Sequence, residues 1–134
     1  NFDFSAGPEG FGDILDVHHY PCPAMNVFER KFVNVLGEYG GIGLPVDGHT
    51  WIIDRKWGYG KVKENSEQLM KQYEEYLEML KTFVATGCAA AVYTQTTDVE
   101  GEVNGLMTYD RKVIKMDIPR IAAANKQVIE SMSK

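Results

Sequence analysis

Residues 33–43 read VNVLGEYGGIG. Val33, Asn34, Val35 and Leu36 form a short β-type run that Gly37 ends, and the first residue past it able to do chemistry is a carboxylate, Glu38. Tyr39 follows, then glycines at 40, 41 and 43. A short apolar run bounded by glycine has the pattern of a buried strand. The glycines let the backbone turn sharply away and leave room for a ligand. The stretch therefore predicts a strand that delivers a glutamate at its C-terminal end, and the fold depends on what that strand pairs with.

Two further runs share its character. Asp13–His18, DILDVH, carries Ile14, Leu15 and Val17, and Ala89–Thr94 reads AAAVYT. Between the second and third runs, Leu69, Tyr73, Tyr76, Leu77, Leu80, Phe83 and Val84 recur at helical spacing, with Asn65 or Ser66 to cap the start and Gly87 to close the end. A last helix is predicted from about Ile118 to Met132, entered through Asp117 and Pro119, and a weaker one from Pro23 to Lys31. No internal repeat interrupts the series. The predicted order β-α-β-α-β-α favours a parallel sheet with helical crossovers.

Three parallel strands leave two unpaired edges, so the alternatives are a small open α/β sandwich or a part of something larger. In a (β/α)8 barrel the chemistry sits in the loops after the strands. Here those loops hold His18, His19, Tyr20 and Pro21, then Glu38 and Tyr39, then Tyr93, Gln95, Asp98 and Glu100. Aromatic rings mixed with carboxylates and amides suit a sugar site, because rings stack on the sugar face while polar groups fix its hydroxyls.

Composition removes other classes. At 134 residues, with 44% hydrophobic and 11% aromatic content, the chain is sized for one globular domain without an internal boundary. A net charge of −5 argues against a nucleic-acid or anionic-membrane surface, since phosphate binding needs clustered Lys and Arg, and Lys112 with Lys115 is the nearest approach to a cluster. No apolar run approaches the roughly 18 residues of a spanning helix. The start, NFDFSAGPEG, lacks the basic and apolar parts of a signal peptide, an absence without weight in a fragment. Cys22 and Cys88 make neither a disulfide framework nor a zinc spacing and read as free thiols. A metal site from Asp16, His18, His19 and His49 is disfavoured, because adjacent residues on a strand point to opposite faces. The glycine run lacks the spacing of a dinucleotide loop, so no cofactor is expected. Trp51, Trp57 and Tyr59 read as loop packing in preference to substrate stacking, and Asp110 with Arg111 as an ion pair bracing a loop.

DILDVHHYP, VLGEYGG and YTQTTDVEGEVNGLMTYDRK, in this order and spacing, resemble the C-terminal part of the catalytic (β/α)8 barrel of glycoside hydrolase family 2. That family holds β-galactosidases, β-glucuronidases and β-mannosidases, and the resemblance covers nearly the whole chain. It implies the last three βα units of the barrel, strands 6–8, with Glu38 as catalytic nucleophile. It also implies that the Tyr20 hydroxyl bonds the nucleophile and that His18 lines the sugar pocket, with Tyr39, Tyr93, Gln95 and Asp98 as further substrate-binding candidates. A nucleophilic carboxylate must stay charged in a partly desolvated pocket and so needs such donors. Retaining glycosidases need a second carboxyl group about 5 to 5.5 Å away. In the family this acid/base glutamate follows an asparagine after the fourth strand, and no such pair occurs here. The chain is thus expected to be inactive alone, with the earlier strands, the proton donor and accessory β-sandwich domains missing. Its exposed faces would be covered by that missing part or by a second copy of the chain. The resemblance implies a carbohydrate substrate, a periplasmic or secreted bacterial location and, in the absence of a cationic cluster for a uronic carboxylate, a neutral sugar such as a β-galactoside. The alternatives are a catalytically inactive carbohydrate-binding barrel and a small independent α/β interaction domain.

Overall fold

The computed structural model describes residues 12–132; the NFDFSAGPEG start lies outside them. Strands β1 (Ile14–His19), β2 (Val33–Gly40) and β3 (Cys88–Thr94) form one parallel sheet in the order β1-β2-β3, with helix α1 (Ser66–Thr86) between β2 and β3 and helix α2 (Ile118–Ser131) after β3. The fold is a small α/β domain.

Each helix begins and ends where local chemistry allows. The Asn65 side chain accepts from the Gln68 amide at 2.9 Å, satisfying one donor that the first turn of α1 leaves free. At the other end Gly87 takes a left-handed φ of 113° and returns its N–H to Val84 O. The stripe Leu69, Met70, Tyr73, Tyr76, Leu77 and Leu80 is buried against Leu15 and Val17 of β1 and Leu36 and Tyr39 of β2. Asp117 caps α2 by accepting from Arg120 N at 2.9 Å. No residue of α2 is fully buried. It is held to α1 through Ile121, Ala124 and Val128, a Tyr73 hydroxyl bond to Asn125 at 2.9 Å, and a two-pronged bridge from Arg120 to Glu74 at 2.6 and 2.7 Å.

The predicted helix at 23–31 does not form, so the observed order is β-β-α-β-α. The backbone groups of this segment go to a side chain instead. Asn34 Oδ1 accepts from Glu29 N at 2.9 Å, and Asn34 Nδ2 donates to Glu29 O and Phe32 O, both at 3.1 Å. Met25 and Pro23 are buried in an extended connection, so the apolar residues that read as a helical stripe are anchors of a strap.

Strand β2 also runs past Gly37, through Glu38 to Gly40. Val17 pairs with Leu36 but His18 pairs with Glu38, so Gly37 is an extra residue inserted opposite the Val17–His18 step. This bulge resets the alternation of the strand. Leu36 and Tyr39, three positions apart, both enter the core, and Glu38 is left on the polar side. A Cβ at position 37 would overlap the Asp16 carboxylate, so any side chain there would displace Asp16. Past Tyr39 the chain turns away through left-handed Gly40 and Gly41 (φ 92° and 65°).

On the sheet face away from α1, Ile14, Val33 and Val92 are 51%, 49% and 54% exposed, and the outer edges of β1 and β3 pair with no other strand among the described residues. The energetic weight of the fold therefore lies on the α1 side. Replacing the fully buried Leu69 by Ala is expected to lower the unfolding free energy by about 2–5 kcal/mol, and Asn65→Ala by about 1 kcal/mol through the lost cap. Urea denaturation of the two variants would show this ranking, and equal losses would remove it.

Candidate functional site

The C-terminal ends of the three strands meet around Glu38. Its side chain is 45% exposed and accepts a hydrogen bond from Tyr20, past the end of β1. The Tyr20 hydroxyl, just past β1, lies 2.6 Å from Glu38 Oε2 and 2.7 Å from Thr94 Oγ1 at the end of β3. A phenol has one proton. The carboxylate takes it, and the Thr94 hydroxyl serves as donor to the phenol oxygen. Burial, and then the bond to Glu38, push the Tyr20 hydroxyl well above the usual tyrosine range, so it stays protonated and remains a donor.

A second set of contacts comes from β1. Asp16 and His18 alternate along the strand and share a face. His18 Nε2 is 3.0 Å from Asp16 Oδ2, while His18 Nδ1 is 3.6 Å from Glu38 Oε2. Asp16 Oδ1, pressed against Gly37, is buried without a hydrogen-bond partner. His19 points elsewhere and donates from Nδ1 to Cys22 O at 2.7 Å.

An aromatic wall rises beside Tyr20. Tyr59 stacks on it with ring centres 3.7 Å apart and 12° between planes, and Trp57 meets Tyr59 edge-on at 5.3 Å. Burial, reinforced by the charges of Glu102 and Glu38, raises the Tyr59 hydroxyl. Across from this wall Gln95 Nε2 donates to Glu102 Oε2 at 3.0 Å and to Asn104 Oδ1 at 2.8 Å, and Asn104 Nδ2 donates to the same Glu102 oxygen at 3.0 Å. The Tyr20–Pro21 and Thr94–Gln95 peptides, at two of the strand ends, are both cis.

Of the residues expected at the site, the structure brings together Glu38, Tyr20, His18 and Gln95. Tyr39 and Tyr93 are not with them. Tyr39 is 2% exposed and packs edge-on against Tyr93, which packs edge-on against Tyr73 of α1. The bulge at Gly37 is what sends Tyr39 into the core. Asp98 is not with them either. It is buried, with Oδ1 2.6 Å from Lys115 Nζ and 2.8 Å from Gly105 N, and it pins the loop after β3. Burial pushes the Asp98 carboxyl up and the Lys115 amine down. Asp110 does brace a loop, but its partners are His49 at 2.8 Å and Thr108 at 2.6 Å, while the neighbouring Arg111 is exposed with a left-handed φ of 59°. The Thr108 and His49 contacts hold the Asp110 carboxyl down at about 2.

Sequence reasoning missed Thr94, Glu102 and the site role of Asp16, and it placed Tyr59 in loop packing. Asp16 was open to detection, since it precedes His18 by the two-residue period of a strand. Nothing in the local pattern marks Glu102, which a loop without regular period carries to the site. Among the described residues no three His, Cys, Asp or Glu side chains gather as a metal centre, and no helix is long and apolar enough to cross a membrane. No protein-family model matches the chain, and no curated protein matches it.

The buried Asp98–Lys115 pair gives a test of the loop. Asp98→Asn or Lys115→Met alone leaves an uncompensated buried charge and is expected to cost about 3–5 kcal/mol, whereas the two changes together cost clearly less than the sum. A double-mutant cycle in denaturant measures the coupling, and additive losses would show the pair to be dispensable.

Proposed function

We propose that the chain forms strands 6–8 and their helices in the (β/α)8 barrel of a retaining glycoside hydrolase similar to family 2, acting on terminal β-linked neutral sugars such as β-galactosides. The observation that carries this reading is the 2.6 Å bond from the Tyr20 hydroxyl to Glu38 Oε2 at the C-terminal ends of adjacent parallel strands. The wholly parallel strand order, the open sheet edges and the exposed Ile14, Val33 and Val92 on the face away from α1 support the barrel reading.

In this mechanism Glu38 attacks the anomeric carbon while the glycosidic C–O bond breaks, giving a covalent glycosyl-enzyme that water then hydrolyses. Tyr20 and His18 both contact Oε2, so Oε1 is the oxygen presented to the sugar. As the carboxylate becomes an ester its charge falls, and the Tyr20 proton stays on Oε2, which becomes the ester carbonyl oxygen, and holds the carboxylate again once water has released the sugar from Oε1. Thr94 orients that proton by donating to the phenol oxygen. The proton donor to the leaving group belongs to a part of the barrel outside this chain.

In the intact protein, Glu38→Gln is expected to lower turnover by several orders of magnitude while leaving thermal unfolding near that of the parent, and a 2-fluoro glycoside inactivator is expected to label Glu38. Peptide mapping that finds the label on Glu100 or Glu102 would reject the assignment. Tyr20→Phe removes one hydrogen bond to a charged group, about 1.5–3 kcal/mol, which corresponds to roughly a 10- to 150-fold lower kcat. An unchanged kcat would take Tyr20 out of the chemistry.

A further inference from the structure

Glu102 stands apart from every other carboxylate around the site. Its Oε2 is held by two amide donors, Gln95 Nε2 and Asn104 Nδ2, both at 3.0 Å. Those amides are themselves fixed. Gln95 donates to Asn104 Oδ1, Asn104 is fully buried, and the Gln95 carbonyl accepts from Leu106 N at 3.0 Å. The Glu102 backbone is tied in both directions to Val99, at 2.9 and 3.2 Å. Asp98, by contrast, has its charge enclosed with Lys115. Glu102 is half-buried, with one oxygen clamped and Oε1 remaining for a partner.

Its neighbours describe that partner. Glu102 pairs along the backbone with Trp57, whose ring is 42% exposed and leads through Tyr59 and Tyr20 to Glu38. On the other side Gln95 directly follows Thr94, which contacts Tyr20. Tyr20, Tyr59, Trp57, Glu102, Gln95 and Thr94 thus follow one another in a ring, aromatic on one side and polar on the other, with Glu38 bonded to it through Tyr20. Among the described residues neither Glu38 nor Glu102 pairs with a lysine or arginine. Such a ring attracts hydroxyl donors and C–H surfaces and repels anions.

We infer that Glu102 is a substrate-binding carboxylate that accepts hydrogen bonds from sugar hydroxyls and selects neutral glycosides over uronides. The inference rests on the glycosidase reading above. A rigid carboxylate oxygen accepts from one hydroxyl or from two adjacent ones, and a hydrogen bond to a charged group discriminates strongly against a sugar that lacks the donor. A uronic carboxylate brought into the same ring meets the charges of Glu102 and Glu38 with no cation to offset them.

The test compares the intact parent protein with Glu102→Gln on the nitrophenyl β-galactoside and the nitrophenyl β-glucuronide, with thermal unfolding recorded for each. The expected result is a roughly 10- to 150-fold lower kcat/KM on the galactoside, together with at least a tenfold fall in the galactoside-to-glucuronide ratio. Equal losses on both substrates would make Glu102 a structural residue, and an unchanged galactoside kcat/KM would remove it from the site; either outcome overturns the inference while leaving the glycosidase reading in place. A parent protein that cleaves neither glycoside and takes no 2-fluoro label at Glu38 overturns both. If Glu102→Gln does not fold, Glu102→Asp serves. It keeps the charge but draws it back from the sugar, so kcat/KM is expected to fall more on the galactoside than on the glucuronide, and parental kcat/KM or equal losses in that variant would overturn the inference.

Discussion

One inserted residue sets the orientation of everything at the strand ends. A regular strand alternates, so Leu36 in the core would put Glu38 in the core and Tyr39 outside. Gly37, added opposite the Val17–His18 step, reverses that assignment. Because residue 37 has no side chain, the Asp16 carboxylate occupies the place where one would sit. Asp16 in turn contacts His18, and His18 contacts Glu38. A single packing constraint thereby ties the register of two strands to the position of one carboxylate.

The same step explains what could be read from the sequence. The three strands, the two long helices and their caps were legible because each rests on local periodicity and on residues, Asn65, Gly87 and Asp117, whose role is fixed within a few positions. The placement of Glu38 and Tyr20 at neighbouring strand ends was legible as well, because each lies at the end of a short apolar run. Tyr39 was not. Its side followed from the bulge, and a glycine in a strand announces an irregularity without giving its direction. The strap at 23–31 misled for a related reason: Asn34 supplies the hydrogen bonds a helix would have made, and that exchange lies outside any window of helical spacing. Asp98 and Glu102 were separable only in three dimensions, since both are acidic residues of one loop and differ in whether Lys115 reaches them.

That loop shows how one chain uses carboxylates in opposite ways. Asp98 is enclosed with a cation and a backbone donor, which fixes the loop at the cost of desolvating both charges. Four residues later Glu102 is held by neutral amides, with no lysine or arginine paired to it among the described residues. Glu38, at the end of β2, is held by a phenol. Rigid support from neutral donors is compatible with a carboxylate that must still react or bind, whereas a lysine at the same place would saturate it.

The thin attachment of α2 has a consequence for motion. With no fully buried residue, and tied mainly by the Arg120–Glu74 bridge and the Tyr73–Asn125 bond, this helix can detach while the α1–sheet core stays closed. Its amides form the natural fast-exchanging unit of the molecule, and those of β2 and the Leu69–Leu80 stretch of α1 the slow one. Because Tyr73 touches both Asn125 and the ring of Tyr93, opening of α2 would be sensed first by the tyrosine cluster beneath the sheet, and the groups around Glu38 would keep their places on the far side of it.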